Sequence, residues 1–218
     1  MLVGKRMSRP ARTIGPNMPI NEALVKMRQD RVRRYPVVDE KGKLIGIVSE
    51  KDLMNASPSQ ATSLSVWELN YLVSKITVEK VMERNVITVS EDTPIEEAAR
   101  IMADKKIGGL PVVSADGTVI GIITETDLFK SFLELMGARS SGIRVTALVS
   151  EVPGKLSDLT SAIYNVGGNI LSLGTFLGES SGTRTITFRV SQVKLEDLKK
   201  AIQPVVEKIE DIQELDFD

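Results

Sequence analysis

Neither cysteine nor histidine occurs in the 218 residues. The first absence excludes disulfides, thiolate metal sites and cysteine nucleophiles. The second removes the commonest general base and metal ligand. No run approaches the ~18 consecutive apolar residues that a membrane span needs. The opening MLVGKRMSRP lacks the apolar stretch of a signal peptide, so the chain reads as cytoplasmic, with no membrane partner. Walker-type loops, nucleophile–base pairs and metal-spaced clusters are also missing, so no catalytic residue and no metal ligand is assigned and the chain is not expected to be an enzyme. The charge balance is nearly even at −1. It is unevenly spread, because residues 1–34 hold nine Lys/Arg against two Asp/Glu, while residues 207–218 hold six acids and one Lys. The basic start reads as a solvated surface with some phosphate-facing arginines, and nucleic acid is not an expected partner. What remains, 42% apolar and 26% charged, suits two compact globular domains.

The stretch Gly46-Ile47-Val48-Ser49-Glu50-Lys51-Asp52-Leu53 returns 75 residues later as Gly121-Ile122-Ile123-Thr124-Glu125-Thr126-Asp127-Leu128. Residues 5–54 align with 80–129 without a gap at 19 identities, the mark of a duplicated supersecondary unit. Each copy reads as a short buried strand that ends in a hydroxyl residue and passes straight into a helix. The hydroxyl and the helix N-terminus offer donors to an anion, and an aspartate three residues on can accept from vicinal hydroxyls. Phosphate on one side and a diol on the other describe a ribonucleotide. The plainer alternative is an acid favoured by the helix dipole, worth about 0.3–1 kcal/mol.

Around these stretches the pattern is regular. Ile20, Ala23, Leu24 and Met27 fall on one face of a helix that starts near Pro19. The strand Tyr35–Asp39 turns at Lys41-Gly42 into Lys43–Val48. The second copy repeats this, with a helix over Pro94–Ala103, strands Leu110–Val113 and Val119–Ile123, and a turn at Asp116-Gly117. An exit helix runs to Gly137. Between the copies, Ser65 and Glu68 form a capping box for an inserted helix over 64–75, with Trp67 and Tyr71 on one surface that serves either the chain's own core or a partner.

After a linker at 138–142 the pattern changes to strand Ile143–Ser150, helix to Val166, strand to Leu177, strand Thr183–Ser191, helix Leu195–Val206 and strand Ile209–Phe217. That order is βαββαβ, the ferredoxin-like plan.

The repeat resembles a tandem pair of CBS domains, regulatory modules that bind adenosine nucleotides, and residues 143–218 resemble an ACT domain through Pro153-Gly154-Lys155-Leu156 and Gly167-Gly168-Asn169-Ile170, with Glu151 where that family has aspartate. The expected fold is therefore α/β (α+β): two repeated βαββα units, 1–75 and 76–137, then the ferredoxin-like ACT unit. Their order resembles the acetoin-utilisation AcuB type of regulatory protein.

The resemblance implies two clefts binding AMP, ADP or ATP. In them Asp52 and Asp127 would accept from ribose hydroxyls, and Ser49 and Thr124 would face phosphate. Tyr35, Val37, Leu110 and Val112 would bracket adenine, and Thr13 and Thr88 would close the cleft. Arg33-Arg34 becomes Gly108-Gly109 in the second copy, so the clefts are expected to be unequal, the arginine side preferring phosphate charge. The ACT resemblance implies an amino acid held between protomers near Pro153, Gly154, Leu156, Gly168, Asn169 and Ile170. A homodimer acting on an unidentified regulated protein is the expected assembly. The rival reading is an amino-acid sensor that uses the CBS pair as a dimerisation scaffold.

Overall fold

The computed structural model describes residues 1–56, 75–178 and 180–216; the expected inserted helix with Trp67 and Tyr71 lies outside them, apart from Lys75. The chain divides into two compact units, Met1–Leu128 and Phe129–Asp218.

In the first unit each repeat is a helix, a hairpin and a second helix. Helix α1 (Ile20–Asp30) starts after Pro19, whose φ of −61 suits a residue ahead of a helix, and stops at Arg31, whose φ of 54 turns the backbone left-handed. Helix α3 (Ile95–Lys105) repeats both devices with Pro94 and Lys106. Ile20, Ala23 and Met27 are the buried face of α1, and Ala98 and Met102 that of α3. The hairpin strands are β1 (Arg34–Val38) with β2 (Leu44–Ser49), and β3 (Gly109–Val113) with β4 (Val119–Thr124). Strand β2 runs directly into α2 (Glu50–Ala56), and β4 into α4 (Glu125–Leu135), of which the residues up to Leu128 belong to this unit. Gly42 and Gly117, with φ of 75 and 83, make the two hairpin turns, a conformation that costs glycine nothing. The turns also meet: Leu44 N–H donates to Gly117 O, Val119 N–H donates to Gly42 O, and Lys43 Nζ donates to Asp116 Oδ2 at 2.6 Å.

The segment that leads each repeat is exchanged. Val3 and Met7 sit in the apolar cluster of the second repeat, with Val89, Ala98, Met102, Leu110, Val112 and Ile123. Val78 and Met82 sit in that of the first, with Ile14, Ile20, Met27, Tyr35, Val48 and Leu53. Backbone pairing agrees with the packing. Ser8 and Ile122 exchange both hydrogen bonds, at 2.9 and 3.1 Å, and Ile47 and Glu83 do so at 2.9 Å each. Room for the crossing comes from glycine: a Cβ at Gly46 would stand 3.1 Å from Glu83 O and 2.9 Å from Met82 Cγ, and one at Gly121 would stand 3.1 Å from Ser8 O. The sequence partition at 75/76 therefore separates stretches of chain, whereas the two cores each draw on both stretches.

The second unit carries β5 (Gly142–Ser150), α5 (Lys155–Asn165), β6 (Asn169–Leu177), β7 (Thr183–Ser191), α6 (Leu195–Ile202) and β8 (Lys208–Leu215). The sheet order is β6-β7-β5-β8 with every pairing antiparallel. Strand β5 alternates strictly, so Ile143, Val145, Ala147 and Val149 face Leu159, Ile163, Leu198 and Ile202 from the helices. Helix α6 ends earlier than the periodicity suggests, giving way to a 3-10 turn over Gln203–Val205, because Pro204 has no N–H for a continuing α-helix.

Candidate functional site

Each duplicated hydroxyl–aspartate turn forms a cap. Ser49 closes β2 and stands ahead of α2, and its backbone N–H and Oγ both donate to Asp52 Oδ2, at 2.8 and 2.6 Å. Asp52 N–H returns to Ser49 Oγ at 3.3 Å. Thr124 N–H and Oγ1 donate to Asp127 Oδ2 at 2.9 and 2.7 Å. This is capping-box logic with aspartate at the third helical position. Its consequence is that the turn fixes the rotamer of both carboxylates. A carboxylate offers about four acceptor positions, more than the two bonds from the hydroxyl residue use.

Arg33 and Arg34 separate in role. Arg33 is exposed, and its carbonyl accepts from Glu50 N–H at 2.9 Å. Arg34 is half-buried at the start of β1, opposite Ser49. Its guanidinium leaves its own repeat and lies over the two glycines of the other, since a Cβ on Gly108 would stand 2.5 Å from Arg34 Nη2 and one on Gly109 2.8 Å from Nη1. Burial pulls its pKa below the usual guanidinium value, while Glu125 and Asp52 pull it back up.

Tyr35, Val37, Leu110 and Val112, expected to bracket a base, are wholly buried core side chains. Only their backbone can serve a ligand in this conformation. Tyr35 donates its hydroxyl to Asp30 Oδ2 at 2.7 Å, and burial followed by that carboxylate pushes its pKa up. Asp30 in turn is held below the ordinary carboxylate range, first by the Tyr35 hydroxyl, and also faces Lys26 and Arg12.

Thr13 and Thr88 lie on two repeat-related open clefts of about 500 and 700 Å³. The first is walled by Pro16, Glu22 and Asp39, the second by Glu91, Glu97 and Ser114. Among the described residues, Ser49, Asp52, Thr124 and Asp127 do not line either of these two clefts.

In the second unit a cleft of about 560 Å³ is lined by Pro153, Gly154 and Leu156 together with Val149, Thr175 and Arg184. Gly154, with φ of 89, precedes α5. Glu151 accepts from Arg184 Nε and Nη2 at 2.9 and 2.6 Å through Oε1, so the acid that stands in for aspartate is committed to an arginine on the same cleft. Gly168, Asn169 and Ile170 lie elsewhere. A Cβ at Gly168 would come within 2.8 Å of Val190 and 2.7 Å of Ile163, Asn169 is exposed, and Ile170 packs on the core.

Among the described residues no helix is long and apolar enough to cross a membrane.

The CBS-domain family model matches residues 3–59 and 78–134. A CBS domain-containing protein of Dictyostelium discoideum is 30% identical over 136 residues, 62% of this chain and 94% of that one. An L-aspartate semialdehyde sulfurtransferase of Methanocaldococcus jannaschii is 34% identical over 131 residues, 60% of this chain but 23% of the sulfurtransferase. Among solved structures, a CBS domain pair in complex with 5′-methylthioadenosine and S-adenosyl-L-methionine is 35% identical with a TM-score of 0.51, over 61% of this chain and 99% of that one. A putative acetoin utilization protein, AcuB, of Vibrio cholerae is 31% identical with a TM-score of 0.53, over 63% and 93%. CBSX2 in complex with AMP is 31% identical with a TM-score of 0.50, over 61% and 96%.

Proposed function

Since the chain belongs to the CBS-domain family, whose pattern recurs twice over just over half its length, we propose that it is a non-catalytic, cytoplasmic regulatory protein that binds adenosine nucleotides such as AMP, ADP or ATP in the clefts of its repeat pair. The observation that carries the reading is the duplicated carboxylate: Asp52 and Asp127 stand at the same station of each repeat, each held by its own backbone and hydroxyl. Solved CBS pairs similar in sequence and fold hold AMP in one case and 5′-methylthioadenosine with S-adenosyl-L-methionine in another, which supports an adenosyl ligand here. Thr13, Arg33, Arg34, Ser49, Thr88 and Thr124 are the further side chains proposed for it, with Tyr35, Val37, Leu110 and Val112 contributing backbone. Likeness to the Vibrio cholerae protein supports acetoin utilisation as the regulated process.

Thermal unfolding tests the reading, because a ligand at ~100 times its dissociation constant adds about 2.7 kcal/mol of native stability. AMP, ATP or S-adenosylmethionine should raise the midpoint, and a panel of amino acids should not. The opposite outcome would favour the second reading, an amino-acid sensor, which the Pro153–Leu156 cleft beside Arg184 supports.

Residues 143–218 are proposed as an ACT module that pairs in a homodimer. In support, β6 is an edge strand bonded to β7 alone among the described residues, and it leaves Leu171, Phe176 and Leu177 exposed; open edges of this kind gain burial by pairing. Light scattering should give twice the chain mass, and a monomer at micromolar concentration would remove the proposal.

A further inference from the structure

Arg34 stands beside both hydroxyl–aspartate turns. Across its own hairpin it is paired with Ser49, and its charge couples to Asp52. Across the repeat boundary its guanidinium lies on Gly108 and Gly109, and Gly109 is paired with Thr124, the hydroxyl of the second turn. Glu125, the next residue, crowds the same point: the Cβ position of Gly108 is 2.8 Å from Glu125 Oε2 and 2.5 Å from Arg34 Nη2. The repeat offers nothing in return, because the counterpart of Arg34 is Gly109, which brings no side chain towards Glu50. The guanidinium of Arg34 therefore stands between the two aspartate stations.

We infer that Arg34 is one phosphate-selecting cation shared by the two clefts, so that they discriminate against each other's charge. The inference rests on the nucleotide reading above and adds the selectivity of its two sites. A phosphate bound beside Ser49 takes the guanidinium, for which a planar fork is well shaped. Glu125 then loses its counter-charge, and its carboxylate opposes a second phosphate beside Thr124. A ligand with an uncharged 5′ group makes no such demand, so the second cleft is left to a neutral adenosyl ligand. Linkage makes the effect reciprocal: a phosphate that binds the second cleft first penalises the first by the same factor.

Calorimetric titration of the full chain with AMP and with neutral 5′-methylthioadenosine tests this. Wild type should take two molecules of 5′-methylthioadenosine with similar affinity, and two of AMP with the second at least about tenfold weaker. In Arg34→Ala the ratio of AMP to 5′-methylthioadenosine affinity at the tighter site should fall about tenfold and the two AMP events should converge. Arg28→Ala, which removes an exposed arginine of α1 that takes no part in the proposed site, should leave the gap between AMP events in place. Two equal AMP events in wild type, or a gap that survives Arg34→Ala, would overturn the shared cation. Binding of neither ligand would instead remove the nucleotide reading, and the inference with it.

Discussion

Affinity for AMP is expected to fall about 10–150-fold in each cleft when Asp52 and Asp127 are both replaced by alanine. The estimate follows from the charge on the acceptor. Hydrogen bonds to a carboxylate contribute roughly 1.5–3 kcal/mol where neutral ones contribute about 1, and 1.4 kcal/mol corresponds to a factor of ten in binding. Alanine also removes the acceptor for Ser49 or Thr124, and the loss of a cap costs about 0.5–2 kcal/mol of stability. A lower midpoint alone would therefore say nothing about ligand. Asparagine separates the two effects, since its side-chain oxygen can still take the bonds of the turn while the charge is gone. Asp52→Asn/Asp127→Asn should melt near wild type and still bind AMP less tightly. Calorimetry that finds AMP affinity unchanged in the alanine double variant would end the nucleotide reading and leave the architecture standing.

Much of the fold could be read from periodicity and punctuation. Pro19 and Pro94, Gly42 and Gly117, and the apolar faces of α1 and α3 are local signals with local consequences, and the βαββαβ order of the second unit was equally open to reading. The site was legible in part. The Ser49–Asp52 spacing pointed to a strand-to-helix turn, but pattern alone suggested a dipole effect rather than a reciprocal cap. Tyr35 was misleading as a candidate ring for adenine. Residues two apart share a strand face, and Tyr35 and Val37 are paired with Val48 and Gly46, so the available signal was that Tyr35 belongs with the core. Its hydroxyl reaches Asp30 instead. The change from Arg33-Arg34 to Gly108-Gly109 was visible as a difference between copies. That the glycines receive the arginine is a tertiary fact that neither copy shows by itself.

The exchange of leading segments was hidden for a different reason. Met7 and Met82 occupy the same station of the repeat, so swapping the segments leaves every local pattern unchanged. A mirrored pair of substitutions exposes it. Val3 and Val78 are both wholly buried, and an unpaired carboxylate in such a place costs about 3–5 kcal/mol. Because Val3 packs with Ala98, Met102 and Ile123, Val3→Asp should speed amide exchange first across residues 95–124. Val78 packs with Ile20, Met27 and Val48, so Val78→Asp should do so first across residues 20–49. Such unequal opening is expected, since parts of a domain open with different free energies. The absence of cysteine allows a second, independent measurement. Ser8→Cys/Ile122→Cys should be joined nearly completely by a short dithiol cross-linker, because residues that exchange both bonds in an antiparallel pair stand about 5.5 Å apart at Cα, while Ser8→Cys/Ile47→Cys should not be joined. If Val3→Asp instead loosened residues 20–49, or only the second cysteine pair were joined, each leading segment would belong to its own repeat, and Arg34 would need another route to the glycines it covers.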